Sequence, residues 1–398
     1  MEFEHLLAHR TQGMAANAIR ELLKVVSRPG MISLAGGIPA EESFPMEIIR
    51  ELTGRVLDKY GPKALQYDLT EGFLPLRDAL VPHLADRGIS VTADTLHITS
   101  GSQGILDAVA KLLISPGDKI AVESPTYLGA LSAFNPYEPE YISLETDDGG
   151  IIPAALDETL SRENVKFIYL VPTFQNPTGR TLSLERRQEI AEILQRHNAL
   201  LLEDDPYSAL RYSGKALPPI KCLAPDHVIY ASTLSKVFAP GLRIGFYAAP
   251  EGIRQWLAQV KQGVDLHTAT LNQALAAEYL TGGFIDSHLR NILALYKPRM
   301  EALISALERE LPDGFTPSPC EGGMFLWVTG PEGFDAQALY HRAVDKGVAF
   351  VPGHYFYAKK GDGLNTLRLN FTMADEAELA EGAKRLGQSI REELTAQG

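Results

Sequence analysis

The stretch YASTLSKVFAPGLRIGF (230–246) begins and ends as an apolar strand and carries two cations, Lys236 and Arg243, in the mostly uncharged loop between. Such cations are normally solvated or paired. Either these are ordinary surface charges, or they face something anionic and reactive. Working outward, TLHITS (95–100), KIAVES (119–124), KFIYLV (166–171), ALLLEDD (199–205), HVIYAST (227–233) and LRIGFYAA (242–249) read as buried strands. Helical patterns such as 102–114 and 183–196 lie between most of them. This alternation predicts an α/β fold, a mostly parallel central sheet sandwiched by helices. Ligands of such sheets bind beyond the carboxyl ends of the strands. The polar clusters TSGSQG, SPTY, PTFQNPTG, EDDPY and STLSK all fall there.

The 398 residues are 45% hydrophobic and 22% charged, the composition of a soluble globular protein with ample core material. A net charge of -13 argues against a nucleic-acid backbone as partner. The opening MEFEHLLAHRTQG lacks the basic-then-apolar pattern of a signal peptide, and no apolar run reaches the roughly 18–20 residues of a membrane span. Cys222 and Cys320 are the only cysteines, and their spacing matches no metal motif. A reducing cytoplasm without a disulfide framework is the expected setting. The texture divides the chain into a helix and extended arm over 1–45 that joins the smaller domain, a large domain over 46–290, and a smaller α+β domain over 291–398.

In TSGSQG, Ser102 and Gln103 sit where a strand ends and a helix begins, a place that favours an anion. Ser102 read alone could be only a cap. With Thr233, Ser235 and Arg243, a phosphate becomes a common partner, while the absence of GxxxxGK[ST] and of GxGxxG near the first strands disfavours an ordinary nucleotide fold. ALLLEDDPY ends a strand in three carboxylates, which could be a solvated end, a metal site short of ligands, or the partner of a protonated ring nitrogen. The spacing does not choose between Asp204 and Asp205. Asn176 shapes the turn of FQNPTG. Lys236 is the lone lysine among the strand-end clusters, and a lysine that loses its proton can attack a carbonyl. A phosphate site, an acid for a ring nitrogen and a Schiff-base lysine together describe pyridoxal phosphate.

The set YDLTEGFLPLR, TSGSQG, SPTY, PTFQNPTG, EDDPY, STLSKVFAPGLRIGF and LRLNFT, in this order and spacing, resembles the fold-type I pyridoxal-phosphate aminotransferases of the aspartate aminotransferase superfamily over essentially the whole chain. The opening AIRELLKVVSRPGMISLAGGIP is most similar to the 2-aminoadipate and kynurenine aminotransferase branch. The resemblance implies that Lys236 binds the cofactor as an imine and shuttles the Cα proton. It implies that Asp204 pairs with the pyridine nitrogen, that Tyr207 and Asn176 bond the phenolic oxygen, and that Tyr127 stacks on the ring. Ser102, Gln103, Thr233, Ser235 and Arg243 would surround the phosphate, and Tyr67 would reach the phosphate of the neighbouring subunit of a homodimer. Arg368 would grip the substrate α-carboxylate, with Asn176 and Gly37 beside it, and Arg20 of NAIREL would meet the substrate side chain. Lys236 and Arg243 are then not solvated charges: one is held as an imine, the other neutralised by phosphate.

Read without the resemblance, Arg368 could serve a structural ion pair, Tyr127 a core and Arg20 an exposed helix. The activity implied is transfer of an amino group from an amino acid of the 2-aminoadipate, aromatic, leucine or glutamate class to a 2-oxo acid, 2-oxoglutarate foremost. The same motifs admit a β-lyase or decarboxylase. A regulator that uses this fold as an effector sensor would need a DNA-binding domain ahead of it, where only about 45 residues precede the large domain.

Overall fold

The structure is a computed structural model that describes residues 3–14 and 30–397. The helix expected around NAIREL, with Arg20, lies outside the described residues. The central sheet has seven strands: β1 Leu96–Ser100, β2 Lys119–Glu123, β3 Glu140–Leu144, β4 Val165–Leu170, β5 Leu201–Asp204, β6 Val228–Thr233 and β7 Ile244–Ala248. Their order is β1-β7-β6-β5-β4-β2-β3. Strands β2 to β6 pair in parallel, whereas β7 runs antiparallel to both β1 and β6. The mostly parallel sheet agrees with the reading of the sequence. The reversal at β7 has a simple cause: the loop from β6 is shorter than the dozen or so residues a parallel crossover needs.

Alternation along the strands sends side chains to two cores. Ile120, Val122, Phe167, Tyr169, Leu202 and Ile229 enter one, and Ala121, Ile168, Leu170, Leu201 and Val228 the other. Helices α1 Ser102–Leu113 and α2 Leu128–Phe134 bury Ile105, Leu106, Val109 and Phe134 in the first. Helices α3 Pro153–Arg162 and α4 Leu184–His197 close the second with Leu156, Ile190, Ile193 and Leu194. The local signals of α4 are complete. Ser183 caps it by accepting the Arg186 N–H at 3.3 Å, and Asn198 ends it in the left-handed region at φ 49°.

A second sheet of four antiparallel strands follows the long helix α5 Phe284–Glu310. It comprises β8 Thr316–Pro317, β9 Phe325–Thr329, β10 Val351–Pro352 and β11 Thr366–Asn370, in the order β8-β9-β11-β10. The last helix, α6 Glu376–Gln397, packs along α5. The start of the chain crosses to this part: Ile32–Ser33 pairs in parallel with Val348–Ala349, and Asn370 N–H donates to Leu34 O at 2.7 Å. That pairing delivers Ala35, Gly37 and Ile38 to the carboxyl ends of the central strands.

Buried Arg187 on α4 fixes one of the loops at those ends. It donates to the carbonyls of Leu182, Pro218 and Pro172 and to Thr173 Oγ1, at 2.8–3.1 Å. These bonds clamp the segment that carries Asn176. Arg187→Ala should therefore destabilise the protein by about 3 kcal/mol or more, since several buried acceptors lose their donor at once. A melting temperature equal to that of the wild type would contradict the clamp.

Candidate active site

A cavity of about 450 Å³ opens at the carboxyl ends of the central strands. Ser102, Gln103, Tyr127, Asn176, Asp204, Tyr207, Thr233, Ser235, Lys236, Arg243, Arg368 and Gly37 all line it. Tyr67 does not; it stands on the surface, 77% exposed, its ring edge on His267. Arg20 lies outside the described residues. Sequence reading missed Ala35, Ile38, Val171, Pro206 and Pro240, which also line the cavity. All but Val171 fall within the family motifs quoted above, but their apolar side chains carry no chemical signal of their own.

Lys236 follows β6 and is half-buried, its Nζ donating to Gly37 O at 3.1 Å. Burial, with Arg368 and Arg243 nearby, pushes its ammonium down to about 8. Across the cavity, Asp204 ends β5. Its Oδ2 accepts the Tyr169 hydroxyl at 2.8 Å, and its Oδ1 has no hydrogen-bond partner among the described residues. Burial pushes Asp204 up to about 7, Tyr169 opposing the shift and Asp205 adding to it.

The two adjacent aspartates have different surroundings. Asp205 does not line the cavity; it is bound by Arg87 and accepts from Tyr230 at 2.9 Å. Burial alone would raise it, but Arg87, with Ser208 and Tyr230, more than offsets that and holds it below the usual carboxylate range. The choice the spacing left open is thus a choice between a cavity-lining carboxylate with one unpartnered oxygen and a carboxylate already paired.

Arg368, on β11, is buried between the rings of Phe325 and Phe356, 4.3 and 4.9 Å from its guanidinium carbon. It donates to Asn176 Oδ1 at 2.9 Å and to Ala35 O at 3.0 Å, while its Nε has no partner among the described residues. Burial pulls it down to about 10, still a cation at neutral pH. Asn176 in turn donates to Tyr207 OH at 3.2 Å. One chain of contacts therefore joins the second sheet, the FQNPTG loop and the end of β5.

The other end of the cavity is shaped for an anion. Gly101 (φ 80°) is the residue before α1, and no side chain caps that helix, so Ser102 is its first residue rather than its cap. A Cβ on Gly101 would collide with the Arg243 guanidinium, and one on Gly245 would collide with the Gly101 backbone. Arg243 itself is left-handed at φ 54°, a conformation costly for a residue with a side chain. It donates to Ser100 O at 3.2 Å and is exposed at the rim, in contrast to the unsolvated cation expected from the sequence. Gln103 is exposed as well. Thr233 Oγ1 and Ser235 Oγ lie 2.8 Å apart in the same cavity.

Pyridoxal phosphate fits this donor set. The free Asp204 oxygen suits a ring N–H, the depressed Lys236 amine an aldehyde carbon, and the helix start with Arg243 a phosphate. No group of three or more potential metal ligands is found among the described residues.

Comparison with known proteins agrees. A family model described as aminotransferase class I and II matches residues 31–386. Aromatic-amino-acid aminotransferase 1 of Thermococcus litoralis is 45% identical over 99% of this chain and 96% of its own. The solved multiple substrate aminotransferase of Thermococcus profundus is 43% identical, with a TM-score of 0.95 and complete coverage of both chains. The α-aminoadipate aminotransferase of Thermus thermophilus, solved with N-(5'-phosphopyridoxyl)-L-leucine, is 38% identical, with a TM-score of 0.92 and complete coverage of both chains.

The lowered lysine gives a pH test. The neutral amine is the nucleophile, so its population rises with pH through its own pKa. Imine formation between the apo-protein and an aromatic aldehyde should climb through pH about 8 and level off above it. A climb that continues to 10.5, the ordinary lysine value, would remove Lys236 from its special environment.

Proposed function

The chain belongs to the class I and II aminotransferases, and we propose that within that family it moves the amino group of 2-aminoadipate, glutamate, leucine or an aromatic amino acid to 2-oxoglutarate, with pyridoxal 5'-phosphate as cofactor. The observation that carries the reading is the cavity. A depressed lysine, a free carboxylate oxygen, an anion cup and a buried arginine face one another there. The names of the relatives, aromatic, multiple-substrate and α-aminoadipate, support the substrate range.

When bound, the cofactor supplies a protonated ring that accepts the electron pair left as Cα loses its proton. The rest is done by the chain. Lys236 Nζ would hold the cofactor through its carbonyl carbon and, when free, would take the proton from the substrate Cα. Asp204 Oδ1 would accept the ring N–H and so keep that proton in place. Tyr207 and Asn176 orient the ring through its phenolic oxygen, and Tyr127 covers one face and excludes water. Ser102, Gln103, Thr233, Ser235 and Arg243 bind the phosphate through neutral donors and one cation. Arg368, its guanidinium packed on the rings of Phe325 and Phe356, would take the α-carboxylate with Gly37 and Asn176 beside it.

The phosphate end is completed by a second copy. Tyr67 is exposed, as are Leu65 and Leu69 on the same segment and Leu266 next to its ring partner His267, which suits a homodimer in which Tyr67 of one protomer reaches its partner's phosphate. Arg20, which lies outside the described residues, keeps its sequence-based assignment as the group that would meet a distal substrate carboxylate. The free thiols Cys222 and Cys320 suit a cytoplasmic enzyme, and no helix among the described residues is long and apolar enough to cross a membrane.

The test is a half-reaction screen of amino acids, followed by the change in cofactor absorbance. Acidic, aromatic and leucine substrates should all react in the wild type. Arg368→Ala should lower kcat/KM for all of them by about one-hundredfold, the scale of two lost charged hydrogen bonds. Arg20→Ala should weaken only the acidic ones. Equal rates in wild type and Arg368→Ala would overturn the carboxylate role, and turnover without a 2-oxo acid acceptor would replace the transaminase with a lyase.

A further inference from the structure

Tyr169 sits on β4 and is fully buried, one strand away from Asp204 on β5. Its hydroxyl donates to Asp204 Oδ2, while the other oxygen, Oδ1, is buried and has no partner among the described residues. We propose that Tyr169 is a positioning residue that anchors one oxygen of Asp204, aims the other at the cofactor's ring nitrogen, and keeps the proton of that pair on nitrogen. The proposal rests on the reading of Asp204 given above.

A carboxylate on a single bond can rotate, and an anchored oxygen removes that freedom. Tyr169 is itself immobile. Its ring meets Phe134 edge-on at 5.6 Å, and its backbone is locked opposite Leu202 in the parallel ladder. The anchor also sets proton affinity. A donor to the anion favours the anion, so Asp204 competes less well for the ring proton while the hydroxyl is present.

The other groups facing Asp204 do not supply this. Asp205, next on the same segment, raises its proton affinity. Tyr127 before α2 and Tyr207 after β5 lie near without bonding to it, and Lys236, Arg243 and Arg368 line the same cavity. Among the described residues, Tyr169 alone donates to the Asp204 side chain. Without that bond, burial and Asp205 act unopposed, and the proton moves from the ring nitrogen to the carboxylate.

The test uses holoenzyme rebuilt with cofactor labelled with nitrogen-15 in the ring, and reads the ring-nitrogen NMR shift beside the half-reaction. Tyr169→Phe keeps the ring and its packing and removes only the hydroxyl. Its nitrogen signal should move from the protonated toward the unprotonated position. Its half-reaction rate should fall about tenfold with amino-acid KM unchanged, because Arg368 is untouched. Tyr230→Phe, which takes an equally buried hydroxyl from Asp205, should leave the signal in place. An unmoved signal in Tyr169→Phe, with or without a slower reaction, would overturn the proposal. So would an equal displacement in Tyr230→Phe, which would mean general loosening. Asp204→Asn must also displace the signal; if it does not, Asp204 is not the ring's partner and the underlying site reading fails, a result distinct from failure of the tyrosine alone.

Discussion

Three cations face one cavity, and a single carboxylate with a free oxygen stands opposite them. Lys236, Arg243 and Arg368 repel one another across this space, and nothing among the described residues neutralises all three. The protein accommodates the repulsion in three ways. Lys236 is pushed toward its neutral form. Arg368 is stacked between two aromatic rings and bonded to neutral acceptors. Arg243 is moved to the solvated rim. An arrangement of this kind is costly without a ligand and favourable with an anionic one. It therefore suits a cofactor that brings a phosphate to one end and an aldehyde to the neutral amine, with room for a separate carboxylate at Arg368.

The fold exists to bring these groups together from distant parts of the chain. Lys236 and Gly37, joined at 3.1 Å, are 199 residues apart, and Arg368 reaches Asn176 across 192. The parallel strands end at one edge and deliver Asn176, Asp204, Thr233 and Lys236 there. The antiparallel return of β7 places Gly245 and Arg243 against Gly101 and the start of α1. The pairing of Ile32–Ser33 with Val348–Ala349 ties the glycine-rich arm to the sheet that carries Arg368. Buried Arg187 and paired Arg87 hold the loops in place from behind.

Much of this was legible in the sequence because its signals are local. Strand-end clusters such as STLSK and EDDPY mark the edge where ligands bind, and their order identified the family, the α/β fold and the transaminase class, which the family match and the solved relatives bear out. What was not legible depends on contacts between distant segments. Asp204 and Asp205 differ because Arg87, over a hundred residues earlier, pairs with one of them. Tyr169 read only as a residue of an apolar strand, since its role comes from the register of β4 against β5. The exposure of Arg243 was not legible because the sequence does not show which part of a cavity forms its rim. Ile38 and Pro240 carry no chemical signature and join the cavity by shape alone.

The central claim is that Lys236 is the amine to which the cofactor is bound. It is tested most directly by reducing the holoenzyme with borohydride, digesting it, and sequencing the peptide that carries the pyridoxyl group. The account predicts a single labelled peptide containing the STLSK segment, with the modification on Lys236, and no label in Lys236→Ala. A stoichiometric label on any other lysine would contradict it.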